Sequence, residues 1–133
     1  TNKSKILEII AKGELLLAVN DNDICGCIHL EPMDELMFKF KMLVANPVFK
    51  GKGVGSILVN FAENVARKRG AIKMQLELLD PTEFEHSDKV FLHNWYSRIG
   101  YSKVAEHDVD FVHEGLSKLL KTGCVAKIYH KVL

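Results

Sequence analysis

The stretch Met37–Arg69 reads MFKFKMLVANPVFKGKGVGSILVNFAENVARKR, and its hydrophobic period changes partway along. Over Met37–Val44, Phe38, Phe40 and Met42 alternate with Lys39 and Lys41, the two-residue period of a strand with one covered face. From Val54 to Arg69 the apolar residues Val54, Leu58, Phe61 and Val65 recur at helical spacing. Asn60, Glu63, Asn64 and Arg67 fall elsewhere, so an amphipathic helix is predicted, closed by Gly70. Pro47, Gly51, Gly53 and Gly55 break both patterns between Asn46 and Gly55. Met74, Leu76 and Leu78 then alternate with Gln75 and Glu77 as a further strand. A strand–helix–strand crossover over 37–79 implies an α/β (α+β) sheet.

Working outward, Leu15–Val19 is a continuous apolar run and reads as a buried strand. The turn cluster Asn20–Asp23 joins it to a strand over Ile24–Leu30, giving a hairpin. Ser4–Ala11 reads as a short helix stopped near Gly13. Beyond the crossover, a polar loop over Leu79–Asp88 precedes a helix over Lys89–Ile99, closed by Gly100. A strand over Tyr101–Ala105, a helix or turn near His113–Leu120 and a last strand over Val125–Val132 complete the chain. No repeat, low-complexity tract or linker divides it, so residues 1–133 read as one domain.

The glycine loop Lys50-Gly51-Lys52-Gly53-Val54-Gly55-Ser56 is the densest chemical signal. A helix N-terminus leaves backbone N–H groups unpaired at the positive end of the dipole, and glycines let a ligand approach closely. Phosphate or pyrophosphate suits such a cradle. Lys50 and Lys52 add positive charge and Ser56 a hydroxyl. The dinucleotide fingerprint fails because Ser56 stands where it needs glycine, and the P-loop fails for want of a Lys after its last Gly. A third pattern, [QR]-x-x-G-x-[GA], fits Lys50–Gly55 with Lys in the first place. A ligand-free turn is the competing reading.

Composition narrows the class. Of 133 residues, 47% are hydrophobic and 26% charged, the balance of a globular domain. Lys+Arg is 18 and Asp+Glu 17, a net charge of +1, so no polycationic character points to nucleic acid. No apolar run is long enough for a membrane span. Three cysteines, Cys25, Cys27 and Cys124, make a poor disulfide framework. With no signal-peptide pattern at the start, the expectation is a reduced, cytoplasmic setting. Cys25 and Cys27 are expected on one strand face as small buried residues. The six histidines show no zinc spacing, and Asp21-x-Asp23 fails as a calcium loop because Pro32 stands at its twelfth position, so no metal is expected.

With its flanks, Leu43-Val44-Ala45-Asn46-Pro47-Val48-Phe49-Lys50-Gly51-Lys52-Gly53-Val54-Gly55 resembles the acetyl-CoA signature of the GNAT N-acetyltransferase superfamily. Trp95-Tyr96-Ser97-Arg98-Ile99-Gly100-Tyr101 resembles the family's Tyr-x-x-x-Gly-aromatic motif. The resemblance implies an acyl-CoA N-acyltransferase (GNAT) fold, a mixed, largely antiparallel sheet flanked by helices. It also implies transfer of the acetyl group of acetyl-CoA to an amine of a small molecule or peptide. Backbone groups of Leu43, Val44 and Ala45 would face the pantetheine arm, and Gly51, Lys52, Gly53, Val54, Gly55 and Ser56, with Lys50, would take the pyrophosphate. Tyr96 would protonate the departing thiolate. Lys89 stands where the family often has Asn, so that pantetheine contact is not carried over. The family's first strand and first helix have no counterpart, so the edge near Leu15–Val19 is expected to be open, with a homodimer as one remedy.

No general base stands out. Glu31, Asp34, Glu35, Glu77, Glu83, Glu85 and His86 are candidates, each also readable as a surface charge. An acyl-CoA-binding module without turnover is the alternative within the same fold, and a nucleotide-binding α/β protein the alternative outside it.

Overall fold

A computed structural model describes residues 13–49, 51–81, 87–108 and 124–133. The helix expected over Ser4–Ala11, Lys50, the base candidates Glu83, Glu85 and His86, and the element near His113–Leu120 lie outside them. Among the described residues the elements are β1 (Leu15–Asn20), β2 (Asp23–Pro32), β3 (Met37–Ala45), α1 (Val54–Lys68), β4 (Lys73–Pro81), α2 (Ser87–Arg98), β5 (Ser102–Asp108) and β6 (Cys124–Val132). A single 3-10 turn, Pro47–Phe49, succeeds β3. The six strands form one sheet in the order β1-β2-β3-β4-β6-β5. The chain separates into two compact units, one reaching Met74 and including Leu133, the other Gln75–Val132.

In the first unit β1, β2 and β3 pair antiparallel. One face carries Ile28, Leu30, Phe38 and Phe40, all buried, and α1 lies against it. The expected helical stripe shifts. Val54, Leu58, Val59, Ala62 and Ala66 are buried, but Phe61 is half exposed, and Glu63, expected outside, is 3% exposed. Small alanines at 62 and 66 let the helix sit close to the sheet, which turns the bulky Phe61 outward. The turn after α1 closes with Gly70 at φ 95°, its N–H donating to Arg67 O. Arg69 then lies over the Phe38 ring, 4.8 Å from its centroid.

Two further expectations for this unit need correction. β1 is an edge strand rather than a buried one, with Leu17 48% and Val19 60% exposed. Met42 does not continue the Phe38–Phe40 row. Its φ is +56°, and the register passes from His29 opposite Lys41 to Cys27 opposite Val44, so Met42 and Leu43 together face one residue of β2. That is a β-bulge, which reverses which face the subsequent residues present. A second irregularity between Ala18 and Val19 leaves Cys25 out of the β1–β2 pairing. Cys25 is buried but Cys27 only half-buried, and burial pushes the Cys27 thiol up.

In the second unit β5 and β6 pair antiparallel. Leu76 and Leu78 of β4, Tyr101, and Ala126, Ile128 and Tyr129 of β6 are buried. The end of α2 is fixed by bonds from the Ile99 and Tyr101 N–H groups to the Tyr96 carbonyl, with Gly100 at φ 105°. A left-handed glycine there is the usual helix stop.

Candidate functional site

The first unit brings the end of β3 against the start of α1, and Gly26 of β2 is the point of contact. A Cβ at Gly26 would lie 2.5 Å from the Val44 carbonyl oxygen, 3.0 Å from Val54 Cγ1 and 3.1 Å from Leu58 Cδ1. Only a residue without a side chain lets the strand and the helix close on each other there. An isolated glycine inside a strand pattern signals such an approach. The expected site residues did not include it.

Asn46 sets the path of the chain as it leaves β3. Its N–H donates to Cys25 O at 2.7 Å and its Nδ2 to Ile24 O at 3.3 Å. Its Oδ1 accepts from Val48 N at 3.1 Å and its carbonyl from Phe49 N at 2.9 Å. The Asx turn so formed swings the chain off β3 towards the glycine loop. The Asn-Pro pair is its sequence signature.

The loop ends at Gly53, the N-cap of α1, at φ 75° and ψ 19°, and Gly51 is also left-handed at φ 80°. A Cβ at either would meet nothing within 4 Å, so space is open beside both. Among the described residues no side chain caps this helix, and its first turn holds no acidic residue. The first intrahelical bond runs from Ile57 N to Gly53 O, at 3.0 Å. The N–H groups of Val54, Gly55 and Ser56 precede it in the first turn, at the positive end of the dipole. The Lys52 N–H donates instead to Phe49 O at 3.2 Å, so its amide is committed to the loop while its exposed ammonium is not. An uncapped N-terminus with open space beside it and a lysine on its rim fits a phosphate group.

Beside this cradle, Val44 is 55% exposed and Leu43 half-buried. The bulge interrupts the β2–β3 ladder just before them. Leu43, Val44, Ala45, Gly51, Lys52, Gly53, Val54, Gly55 and Ser56 thus lie together in the first unit.

Tyr96 lies in the second unit on α2, 7% exposed. Its ring centroid is 4.9 Å from that of Trp95 and 6.1 Å from that of Tyr101, the latter edge-on. Burial pushes its hydroxyl up to about 12.

The structure also sorts the base candidates. Burial would raise the Glu31 carboxyl, but Lys39 at 2.9 Å and Lys41 at 3.5 Å, with His29, hold it below the ordinary range. A carboxylate so stabilised is a poor proton acceptor. His29 is buried and places Nε2 3.0 Å from Glu14 Oε1 and 3.7 Å from Glu31 Oε2. Asp34 caps the turn before β3, its Oδ1 accepting from Leu36 N and Met37 N at 2.8 Å each. Glu77 is half-buried on β4. Asp80, which is not among the expected bases, pairs with Lys127 and holds its ammonium above the ordinary range.

A family model described as an acetyltransferase (GNAT) domain matches residues 11–103, well over half of the chain. Over 63 residues the chain is 36% identical to Probable N-acetyltransferase 14 of Xenopus tropicalis. That alignment spans 46% of the chain and 31% of the relative, under a third of its length. A GNAT family acetyltransferase from Elizabethkingia anophelis, solved with acetyl-CoA bound, superposes with a TM-score of 0.76 at 18% identity, covering 99% of this chain and 84% of that one. An aminoglycoside 6'-N-acetyltransferase complexed with coenzyme A gives 0.73 at 19% identity, covering 96% and 77%. The likeness establishes the acyl-CoA N-acyltransferase fold. Among the described residues no helix is long and apolar enough to cross a membrane.

Proposed function

The chain belongs to the GNAT acetyltransferase family, and from that premise we propose that it is an N-acetyltransferase, a single catalytic domain that moves the acetyl group of acetyl-CoA to a primary amine by direct attack. The observation that carries this reading is the uncapped start of α1, with left-handed Gly51 and Gly53, open space beside them and the freed end of β3 packed alongside. The amides of Val54, Gly55 and Ser56 take the pyrophosphate, and the Lys52 ammonium adds charge. Backbone groups of Leu43, Val44 and Ala45 align the pantetheine arm. One strand N–H polarises the thioester carbonyl, as in an oxyanion hole. Holding amine and thioester together supplies much of the rate.

Tyr96 serves the leaving group. Its hydroxyl at about 12 is a weaker acid than a free thiol, near 8.5. Full proton transfer to the sulfur would be uphill by roughly 3.5 units, or about 5 kcal/mol. The phenol therefore hydrogen-bonds the developing thiolate, which collects its proton from water. Binding without turnover is favoured over this role if Tyr96 only packs against Trp95 and Tyr101. A dimer through β1 belongs to the same proposal, supported by the exposed Leu17 and Val19, and light scattering checks it.

Two measurements test the reading. Coenzyme A should raise the melting temperature while ATP leaves it unchanged. Thiol release from acetyl-CoA should then depend on an added amine. Protection by coenzyme A without thiol release for any of a broad amine panel would reduce the protein to an acyl-CoA-binding module.

A further inference from the structure

Away from the proposed coenzyme A cradle, the first unit holds a second cluster of polar side chains, on the sheet face opposite α1. Glu14 stands just before β1, and its carbonyl accepts from Leu30 N at 2.9 Å, which pins it beside β2. His29 and Glu31 are alternate residues of β2 and so share one face. One donor atom from each of the three side chains lies within 4.8 Å of the others. His29 Nε2 is 3.0 Å from Glu14 Oε1 and 3.7 Å from Glu31 Oε2.

Two features of the cluster ask for a cation. The first is the state of His29, which is 1% exposed and aims Nε2 between the two carboxylates. Its Nδ1 is buried without a hydrogen-bond partner. Such an orphan is uncommon in a folded protein, and a bound ion is one of its explanations. The second is charge. Among the described residues Glu14 has no lysine or arginine partner, so beside a neutral imidazole its charge is uncompensated. Glu31 is already oriented. Lys39 and Lys41 both hold its Oε1, at 2.9 and 3.5 Å, which leaves Oε2 turned to His29. Outer partners hold a metal-ligating carboxylate in the same way. Both ammonium groups are exposed enough to swing into solvent.

The spacing suits a small ion. Zinc bonds nitrogen and carboxylate oxygen at about 2.0–2.2 Å, so ligand atoms of a tetrahedral site stand about 3.3–3.6 Å apart. The 3.0 and 3.7 Å separations fall on either side of that span, within reach of small rotations of the two long glutamate side chains. We propose that Glu14, His29 and Glu31 bind a divalent cation of the zinc class, which ties the start of β1 to β2. Imidazole in the set favours such an ion over calcium or magnesium, which prefer oxygen alone. Binding takes the ring proton off Nε2 and leaves the neutral ring protonated at Nδ1. Nδ1 has no partner in either form, so no hydrogen bond is lost there. Three protein ligands leave the fourth position to water or another donor. The site draws on no residue of the second unit and stands apart from the transferase reading.

The test is titration of the metal-free full chain with zinc, followed by calorimetry. One zinc should bind per chain. Glu14→Gln and Glu31→Gln keep size and polarity but lose the anionic oxygen. Each should weaken binding by at least about 10²-fold, the upper end of what losing an outer partner costs. Zinc at a hundredfold excess over Kd should raise the wild-type melting temperature by up to roughly 10 °C, and both variants should lose that rise. X-ray absorption of the zinc-loaded wild type should show nitrogen and oxygen at about 2.0–2.2 Å. No binding at about 0.1 mM zinc would overturn the proposal and leave a hydrogen-bonded cluster around a protonated His29. Affinity unchanged in both variants would overturn it as well. So would a sulfur shell at about 2.3 Å, which places the metal on cysteine and is read on the wild type alone, whatever the variants' folding.

Discussion

Replacing Gly26 by alanine adds one methyl at the point where β2, β3 and α1 meet. That carbon would stand 2.5 Å from the Val44 carbonyl oxygen, closer than real Cβ atoms come, and within 3.1 Å of Val54 and Leu58 side-chain carbons. The two side chains can give by a few tenths of an ångström. The carbonyl belongs to a paired strand and cannot move without its residue. Overpacking of this kind costs about 1–3 kcal/mol. For a domain of this length, each kcal/mol shifts Tm by roughly 3–5 °C, so a fall of roughly 3–15 °C is expected. Relief can come only by displacing Val44 or tilting the first turn of α1, and both belong to the proposed coenzyme A cradle. Affinity in the folded protein should therefore drop about tenfold, the equivalent of about 1.4 kcal/mol. Leu30→Val on the same strand is the control. Leu30 is buried at 1% exposure, and losing one methylene costs about 0.5–1.5 kcal/mol without touching the cradle. Urea unfolding gives the stability of each variant and calorimetric titration of coenzyme A the affinity. A Gly26→Ala protein that binds as wild type, or a Leu30→Val protein that weakens as much, would refute the coupling between this glycine and the site.

Tyr96→Phe should leave coenzyme A affinity intact and lower kcat by about 10²-fold, as steady-state kinetics will show. The same variant tests the raised hydroxyl: the unfolded phenol ionises near 10 and the folded one near about 12, so the wild type loses stability as pH climbs from 10 to 12, by on the order of 2–3 kcal/mol, and Tyr96→Phe should lack that loss in alkaline urea melts. Lys52→Ala should weaken coenzyme A by ~1 kcal/mol at low salt and by less at high salt, because the ammonium is exposed. Gly53→Val forces a β-branched residue to φ 75° and should cost about 1–2 kcal/mol of strain as well as coenzyme A binding, while Gly53→Asn, which tolerates that conformation, should lose less of both in paired melting and titration experiments.

Local periodicity decides how much of the fold is legible in the sequence. β3, α1 and β4 emerge because Phe38, Phe40, Val54, Leu58, Met74 and Leu76 repeat at two and near-four residue steps. The same logic misplaces Phe61 and Glu63, since bulk and charge set the expected faces while Ala62 and Ala66 set how closely the helix docks. The glycine loop is readable because glycine itself announces left-handed backbone. The bulge is not, because Met42 holds φ +56° with no residue-type signal. The pairing of His93 with Tyr129 joins residues 36 apart and exists only once α2 lies on β6. The edge character of β1 depends on strand order, which an apolar run alone leaves open.

The extra residue at Met42–Leu43 works as a frame shift in the pleat. Before it, even-numbered side chains of β3, Phe38 and Phe40, point into the core with Leu30, while Lys39 and Lys41 share the other face with Glu31 and His29. After it, even-numbered Val44 stands opposite Cys27 and turns outward, and Ala45 stands opposite Gly26. One continuous strand thereby has two occupations: its first half is committed to the hydrophobic interior, and its last three residues are released from it. Deleting a single residue at the bulge would restore an unbroken β2–β3 ladder with one residue opposite Ile28, yet Val44 would stay opposite Cys27 on the outward face, so what the extra residue supplies is the break in backbone pairing beside the loop rather than the facing of Val44.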